Sequence, residues 1–99
     1  MKLDIPRWLA APKIDVHTHA WHFPTPEEKE RSDDQLVRAG DMLGITEFWA
    51  SAPITGGRLA PMEEVRREND AVLAAMRRHP TRIRGMCFVI PGYYREALA

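Results

Sequence analysis

The sequence has one cysteine, no surplus of either charge and no long run of apolar residues. Cys87, the single cysteine, has no partner for an intrachain disulfide. The 14 Lys and Arg residues are balanced by 14 Asp and Glu residues, so the chain lacks the positive surplus that binding to nucleic acids or anionic lipids requires. A transmembrane helix needs about 18 consecutive apolar residues, and no such stretch occurs. These absences predict no nucleic-acid partner and no membrane partner.

The composition is that of an ordinary globular chain. Its 99 residues are 44% hydrophobic and 28% charged, which suffices for one modest core and at most one domain. The first 12 residues contain no apolar run resembling a signal peptide, so a cytoplasmic location is the expectation. We expect residues 1–12 to form an N-terminal arm that tucks Trp8 against the body, and residues 13–99 to belong to one domain.

Segments with strand and helix periodicity alternate along the chain. The strand patterns occupy residues 13–17, 45–50 and 83–90. Helical patterns lie between them. The first has two possible starts, a capping box at Thr25 and a second one at Ser32, and runs to Gly44. The second ends at His79, before Pro80. This order predicts an α/β fold with right-handed βαβ crossovers and a parallel sheet.

The helical patterns also predict which side chains are buried. The first helix is expected to bury Leu36, Val37, Met42 and Leu43, and the second to bury Val65, Val72, Leu73 and Met76. Residues 51–61 predict a long loop with Gly56, Gly57 and Arg58 as a flexible segment. A third helix is expected to begin at Tyr93.

The most informative motif is Asp15-Val16-His17-Thr18-His19 at the end of the first strand. Side chains two residues apart on a strand point the same way, so we expect Asp15, His17 and His19 to share one face. Paired imidazoles suit Zn²⁺, Fe²⁺, Ni²⁺ or Co²⁺, and Asp15 could orient a ring nitrogen. The alternative is an exposed strand end whose histidines bind nothing.

The remaining polar and aromatic residues give weaker indications. His22 and His79 are interpreted as structural or solvent-facing, and Cys87 as a buried, inert thiol in the third strand. Glu47 is expected to be a polar residue on the sheet without an identified partner. Three aromatic residues near the strand ends could line a pocket or pack beneath loops: Trp21, Phe23 and Trp49.

Residues 14–21, Ile-Asp-Val-His-Thr-His-Ala-Trp, resemble the opening signature of the metal-dependent amidohydrolase superfamily, in particular its amidohydrolase-related (amidohydrolase 2) branch. Residues 67–85 resemble the second helix and third strand of that branch. The resemblance implies a (β/α)₈ TIM barrel, of which residues 13–99 would be the N-terminal βαβαβ portion. It also implies a divalent metal, with zinc expected, bound by His17 and His19, and a small-molecule substrate.

The resemblance implies a hydrolase in which a metal-activated water attacks a carbonyl-type substrate. A nonoxidative decarboxylase of the same family and a noncatalytic metal-binding fragment that oligomerises through its sheet edge are the alternatives. Metal-dependent phosphoesterases and deoxyribonucleases also begin with Asp-x-His-x-His, but residues 69–85 favour the amidohydrolase-related branch. Because the family takes its catalytic groups from later strands, no catalytic residue is assigned here, and the chain alone is expected to be inactive.

Overall fold

The computed structural model describes residues 2–55, 59–93 and 95. The elements in chain order are α1 (Ile5–Ala10), β1 (Lys13–His19), α2 (Pro26–Leu43), β2 (Ile45–Ser51), α3 (Met62–Arg78), β3 (Ile83–Gly85) and a 3-10 turn at Pro91–Tyr93. The three strands pair in parallel in the order β1-β2-β3. This confirms a mixed α/β unit in which parallel strands alternate with helices. The predicted segment at Gly56, Gly57 and Arg58, and most of the helix predicted from Tyr93, lie outside the described residues.

Helix α2 begins at the first of its two possible starts and ends at the predicted glycine. The Thr25 hydroxyl accepts a hydrogen bond from the backbone N–H of Glu28 at 3.2 Å, and Pro26 occupies the first helical turn. At the other end, Gly44 adopts a left-handed conformation with φ of 73°. A Cβ at Gly44 would also collide with the carbonyl oxygen of Leu9, so both conformation and space require glycine.

The N-terminal arm contains a short helix that the sequence did not predict. Asp4 caps α1 by accepting a hydrogen bond from the Arg7 N–H at 3.1 Å. The Lys13 ammonium lies 4.3 Å from the centroid of the Trp8 ring and donates to the carbonyls of Trp8 and Ala11. A cation–π contact therefore holds Trp8 against the start of β1.

The core lies between one face of the sheet and the two long helices. Phe48, Ala50 and Ile83 are buried on that face and pack against side chains from both helices, which include Leu36, Val37, Val72 and Ala75. The predicted burial of Met42 and Leu43 is wrong, since they are 76% and 42% exposed. Gly40 occupies the buried side of the last turns of α2, and Met42, two residues further, points to the opposite side. Leu73 of α3 is also partly exposed, at 39%.

The third strand is shorter than predicted and ends at Gly85. The side-chain amide of Asn69 accepts from the Phe88 N–H and donates to the Phe88 carbonyl, both at 2.9 Å. These bonds hold the backbone of Phe88 on α3. Strand β2 ends at Ser51, one residue after the partner of Gly85, so the β2–β3 pairing stops there. Cys87 therefore lies outside the strand and is exposed, and the prediction of a buried thiol is wrong.

Asp34 joins α2 to the C-terminal end of α3. Arg78 donates to its two carboxylate oxygens from Nε and Nη2, both at 2.8 Å, and His79 Nε2 donates at 2.8 Å. The hydrogen bond from Arg78, followed by that from His79, holds the pKa of Asp34 well below its ordinary 3.8. The contact agrees with the structural role predicted for His79.

Replacing Gly40 tests the close approach of α2 to the sheet. Alanine in place of glycine stabilises an exposed helix by about 1 kcal/mol. At Gly40, however, an added Cβ would lie 2.6 Å from Phe48 Cζ, and overpacking of this kind costs about 1–3 kcal/mol. We expect Gly40→Ala to lower the free energy of unfolding measured by urea denaturation.

Two controls accompany this substitution. Gly92→Ala, where an added Cβ meets nothing within 4 Å, should change the free energy of unfolding by less than about 0.5 kcal/mol. In a Phe48→Leu background, Gly40→Ala should lower the free energy of unfolding by less, because the shorter leucine side chain leaves room for the added Cβ. A stabilised Gly40→Ala variant, or an equal penalty in both backgrounds, contradicts the packing described.

Replacing Asp34 tests the link between the helices. Because the pKa of Asp34 is lower in the folded than in the unfolded chain, its stabilisation is present above pH 3.8 and is lost as the pH falls. We expect Asp34→Asn to lower the melting temperature at pH 7, with a difference from the unmodified chain that narrows below about pH 4. Asp70→Asn, at an exposed position of α3, is the control, and an Asp34→Asn difference that stays constant down to pH 2 would exclude the ionic link.

Candidate functional site on the open face of the sheet

The face of the sheet turned away from α2 and α3 carries polar and aromatic side chains. Along β2, Glu47 and Trp49 alternate with the buried Phe48 and Ala50, so they point away from the helices. We call this side the open face and include in it His17, His19, Glu47, Trp49 and Arg84. Ile14, the register partner of Glu47, is 54% exposed there.

The two histidines of the motif lie side by side at the carboxyl end of β1. The ring centroids of His17 and His19 are 5.3 Å apart, and the rings are nearly perpendicular, at 88°. Thr18, between them, is buried on the opposite side. The structure therefore brings the predicted pair together on one face, where the strand ends and solvent begins.

The end of β2 orients the ring of His19. Its Nδ1 lies 3.2 Å from the carbonyl oxygen of Ser51, which also accepts the Ala20 N–H at 3.0 Å. A carbonyl oxygen only accepts, so Nδ1 must carry the proton. Nε2 of neutral His19 is then left with a free lone pair, and a backbone carbonyl holding the other ring nitrogen is the usual partner of a metal-binding histidine. The Trp21 ring lies 5.5 Å from that of His19 in an edge-to-face arrangement.

Asp15 does not have the role predicted for it. Its carboxylate accepts the backbone N–H of His17 at 2.9 Å and contacts no ring nitrogen. The β1–β2 register is irregular between Asp15 and Thr18, and the partner of Asp15 is Phe48 on the helix side. The break in alternation separates Asp15 from the face that the histidines occupy.

Within residues 2–55, 59–93 and 95, no group of three or more His, Cys, Asp or Glu side chains is placed to hold a metal ion. His22 donates its backbone N–H to Glu68 at 3.2 Å, and His79 contacts Asp34. The donor set is therefore two imidazoles. Two imidazoles on one face fit part of a zinc site, since catalytic zinc usually has three protein ligands and a water.

Sequence reasoning missed a second cluster, which joins β2 to β3. Glu47 Oε1 accepts from Trp49 Nε1 and from Arg84 Nε, both at 2.8 Å. These two hydrogen bonds, the indole one first, lower the pKa of Glu47 below its usual 4.5. The signal available in the sequence was the spacing of Glu47 and Trp49, which puts both on one face, but their pairing with Arg84 depends on the β2–β3 register.

A groove among the described residues has a lining that includes neither His17 nor His19. It has a volume of about 660 Å³ and is lined by the loop after β1 and by α3, with Phe23 and Ala71 among its apolar residues. Of the three aromatic residues predicted near the strand ends, Phe23 lines this groove, Trp21 packs on His19 and Trp49 bonds to Glu47. The histidine pair and this groove are thus separate features of the surface.

Comparison with protein-family models, with curated proteins and with solved structures gives no match. Among the described residues, no helix is both long enough and apolar enough to cross a membrane.

Proposed function

We propose that the chain is the N-terminal part of a metal-dependent hydrolase of the amidohydrolase-related family, built on a (β/α)₈ barrel, with His17 and His19 as two ligands of a zinc ion. One observation carries the proposal. The carbonyl of Ser51 accepts from Nδ1 of His19 at 3.2 Å, which leaves Nε2 of His19 free to bind a metal while the His17 ring lies 5.3 Å away. Hydrogen bonding of this kind to the second ring nitrogen is what orients histidine ligands in metal sites.

The one-sided sheet supports the barrel. Parallel sheets occur with both faces covered or closed into a barrel, whereas the open face here carries the half-exposed Trp49 and Ile14. Further strands and helices of a barrel would cover this face.

The position of the pair supports a catalytic use. Ligand and metal sites of barrel enzymes lie at the carboxyl ends of the strands, where His17 and His19 stand at the end of β1. A bound zinc ion would supply an acidified water and polarise a carbonyl-type group of a small-molecule substrate. In that site the residues of this chain bind and orient: the imidazoles donate lone pairs, and the Ser51 carbonyl holds the His19 ring.

Metal titration of purified variants tests the proposal. We expect the 99-residue chain to bind Zn²⁺ and Co²⁺ weakly, because it supplies two of the usual three protein ligands. Removing one imidazole leaves a single ligand, so His17→Ala and His19→Ala should each weaken binding by about ten-fold or more. Isothermal titration with Zn²⁺ and the absorption spectrum of bound Co²⁺ measure the change.

His22→Ala is the matched control, since His22 is exposed and only its backbone N–H is engaged by the described residues. Its metal affinity should equal that of the unmodified chain. A His17→Ala/His19→Ala double variant that keeps the unmodified affinity would remove both residues from the metal site and with them the proposed function.

A further inference from the structure

The spacing of the two imidazoles of β1 suits one shared zinc ion. Zinc binds an imidazole nitrogen at about 2.0 Å and so lies about 3.2 Å from the ring centroid, which puts two imidazoles at a tetrahedral angle about 5.2 Å apart. The centroids of His17 and His19 are 5.3 Å apart. Ser51 holds the ring of His19, whereas the exposed ring of His17 makes no hydrogen bond to the described residues and is free to turn. Both side chains can therefore bind the same ion.

The pair fills half of a tetrahedral site. Structural zinc sites have four protein ligands, and within residues 2–55, 59–93 and 95 no third His, Cys, Asp or Glu completes a metal-binding group. A second copy of the chain carries the same pair. A zinc ion on a two-fold axis between two copies takes two imidazoles from each, and such an arrangement closes at the dimer because both copies use the same surface.

The pair is accessible to a second copy. The strand order places β1 at one edge of the described sheet, and the two long helices pack on the other face. Apolar side chains next to the pair in the sequence are exposed: Val16 is 60% exposed and Trp21 is 45% exposed. The 14 basic and 14 acidic residues cancel, so two copies approach without net repulsion.

We infer that one zinc ion joins two copies of this 99-residue chain, with His17 and His19 of each copy as its four ligands. The inference rests on the proposed function for the assignment of the two ligands, and it adds the second copy as the partner that completes the site. In the proposed barrel, ligands from later strands would take the two positions that the second copy fills here.

Sedimentation equilibrium of the unmodified chain during zinc titration tests the inference. Without metal we expect the 11.3 kDa of one chain, and at half an equivalent of Zn²⁺ per chain we expect twice that mass. A large excess of zinc should return the chain to monomer, because each copy then binds its own ion. EDTA should also reverse the dimer.

Single substitutions identify the ligands of the shared ion. His17→Ala and His19→Ala each remove two imidazoles from a dimer, so at half an equivalent of Zn²⁺ both variants should remain monomeric. His22→Ala is the matched control and should dimerise as the unmodified chain does, since only the backbone N–H of His22 is engaged by the described residues. Urea denaturation of each metal-free variant checks that the fold is retained.

The two readouts, mass and metal affinity, separate this inference from the proposed function. An unmodified chain that binds zinc through His17 and His19 but stays at the monomer mass overturns the shared ion and leaves the proposed function standing. A dimer that persists in EDTA or in a large zinc excess, or one that His17→Ala still forms, also overturns it. Zinc affinity that is unchanged in the His17→Ala/His19→Ala double variant removes both proposals.

Discussion

The parallel pairing of β1 with β2 is the interaction on which both the fold and the candidate site depend. It ends at Ser51, whose carbonyl oxygen accepts the Ala20 N–H and faces Nδ1 of His19. The Ser51 carbonyl oxygen thus takes part in the last β1–β2 backbone hydrogen bond and also orients the His19 ring. Because the same pairing buries Phe48 beneath the helices, it leaves the alternate residues of β2 on the open face. The histidine pair and the Glu47 cluster both depend on that register.

The two faces of the sheet have different physical requirements. The helix face is filled by small and medium side chains, with Gly40 allowing the Phe48 ring to approach α2 within contact distance. The open face instead pairs its charges internally, through Glu47 and Arg84, and keeps aromatic surface exposed. Burial of an unpaired charge is costly, and on this face the charges of Glu47 and Arg84 offset each other.

Local chemistry made several features predictable from the sequence. Thr25 and Gly44 bound α2 because capping and a left-handed turn depend on the residue itself, and the shared face of His17 and His19 follows from strand period. Features that depend on distant partners were not predictable. Strand β3 ends where its neighbour β2 ends, and Asn69, nineteen residues before Phe88, binds the Phe88 backbone instead. Asp15 is displaced by an irregularity in the β1–β2 register. Arg84 reaches Glu47 only because β3 pairs beside β2.

The tautomer of His19 tests the central claim most directly, because the proposed metal site requires a proton on Nδ1 and a free Nε2. Long-range ¹H–¹⁵N correlation spectra of the histidine rings distinguish the two tautomers and respond to metal coordination. The account predicts the Nδ1–H form for His19 without metal and a shift of its Nε2 resonance, together with a ring-nitrogen resonance of His17, when Zn²⁺ is added. A proton on Nε2 of His19, or ring resonances that Zn²⁺ leaves unchanged, would contradict it.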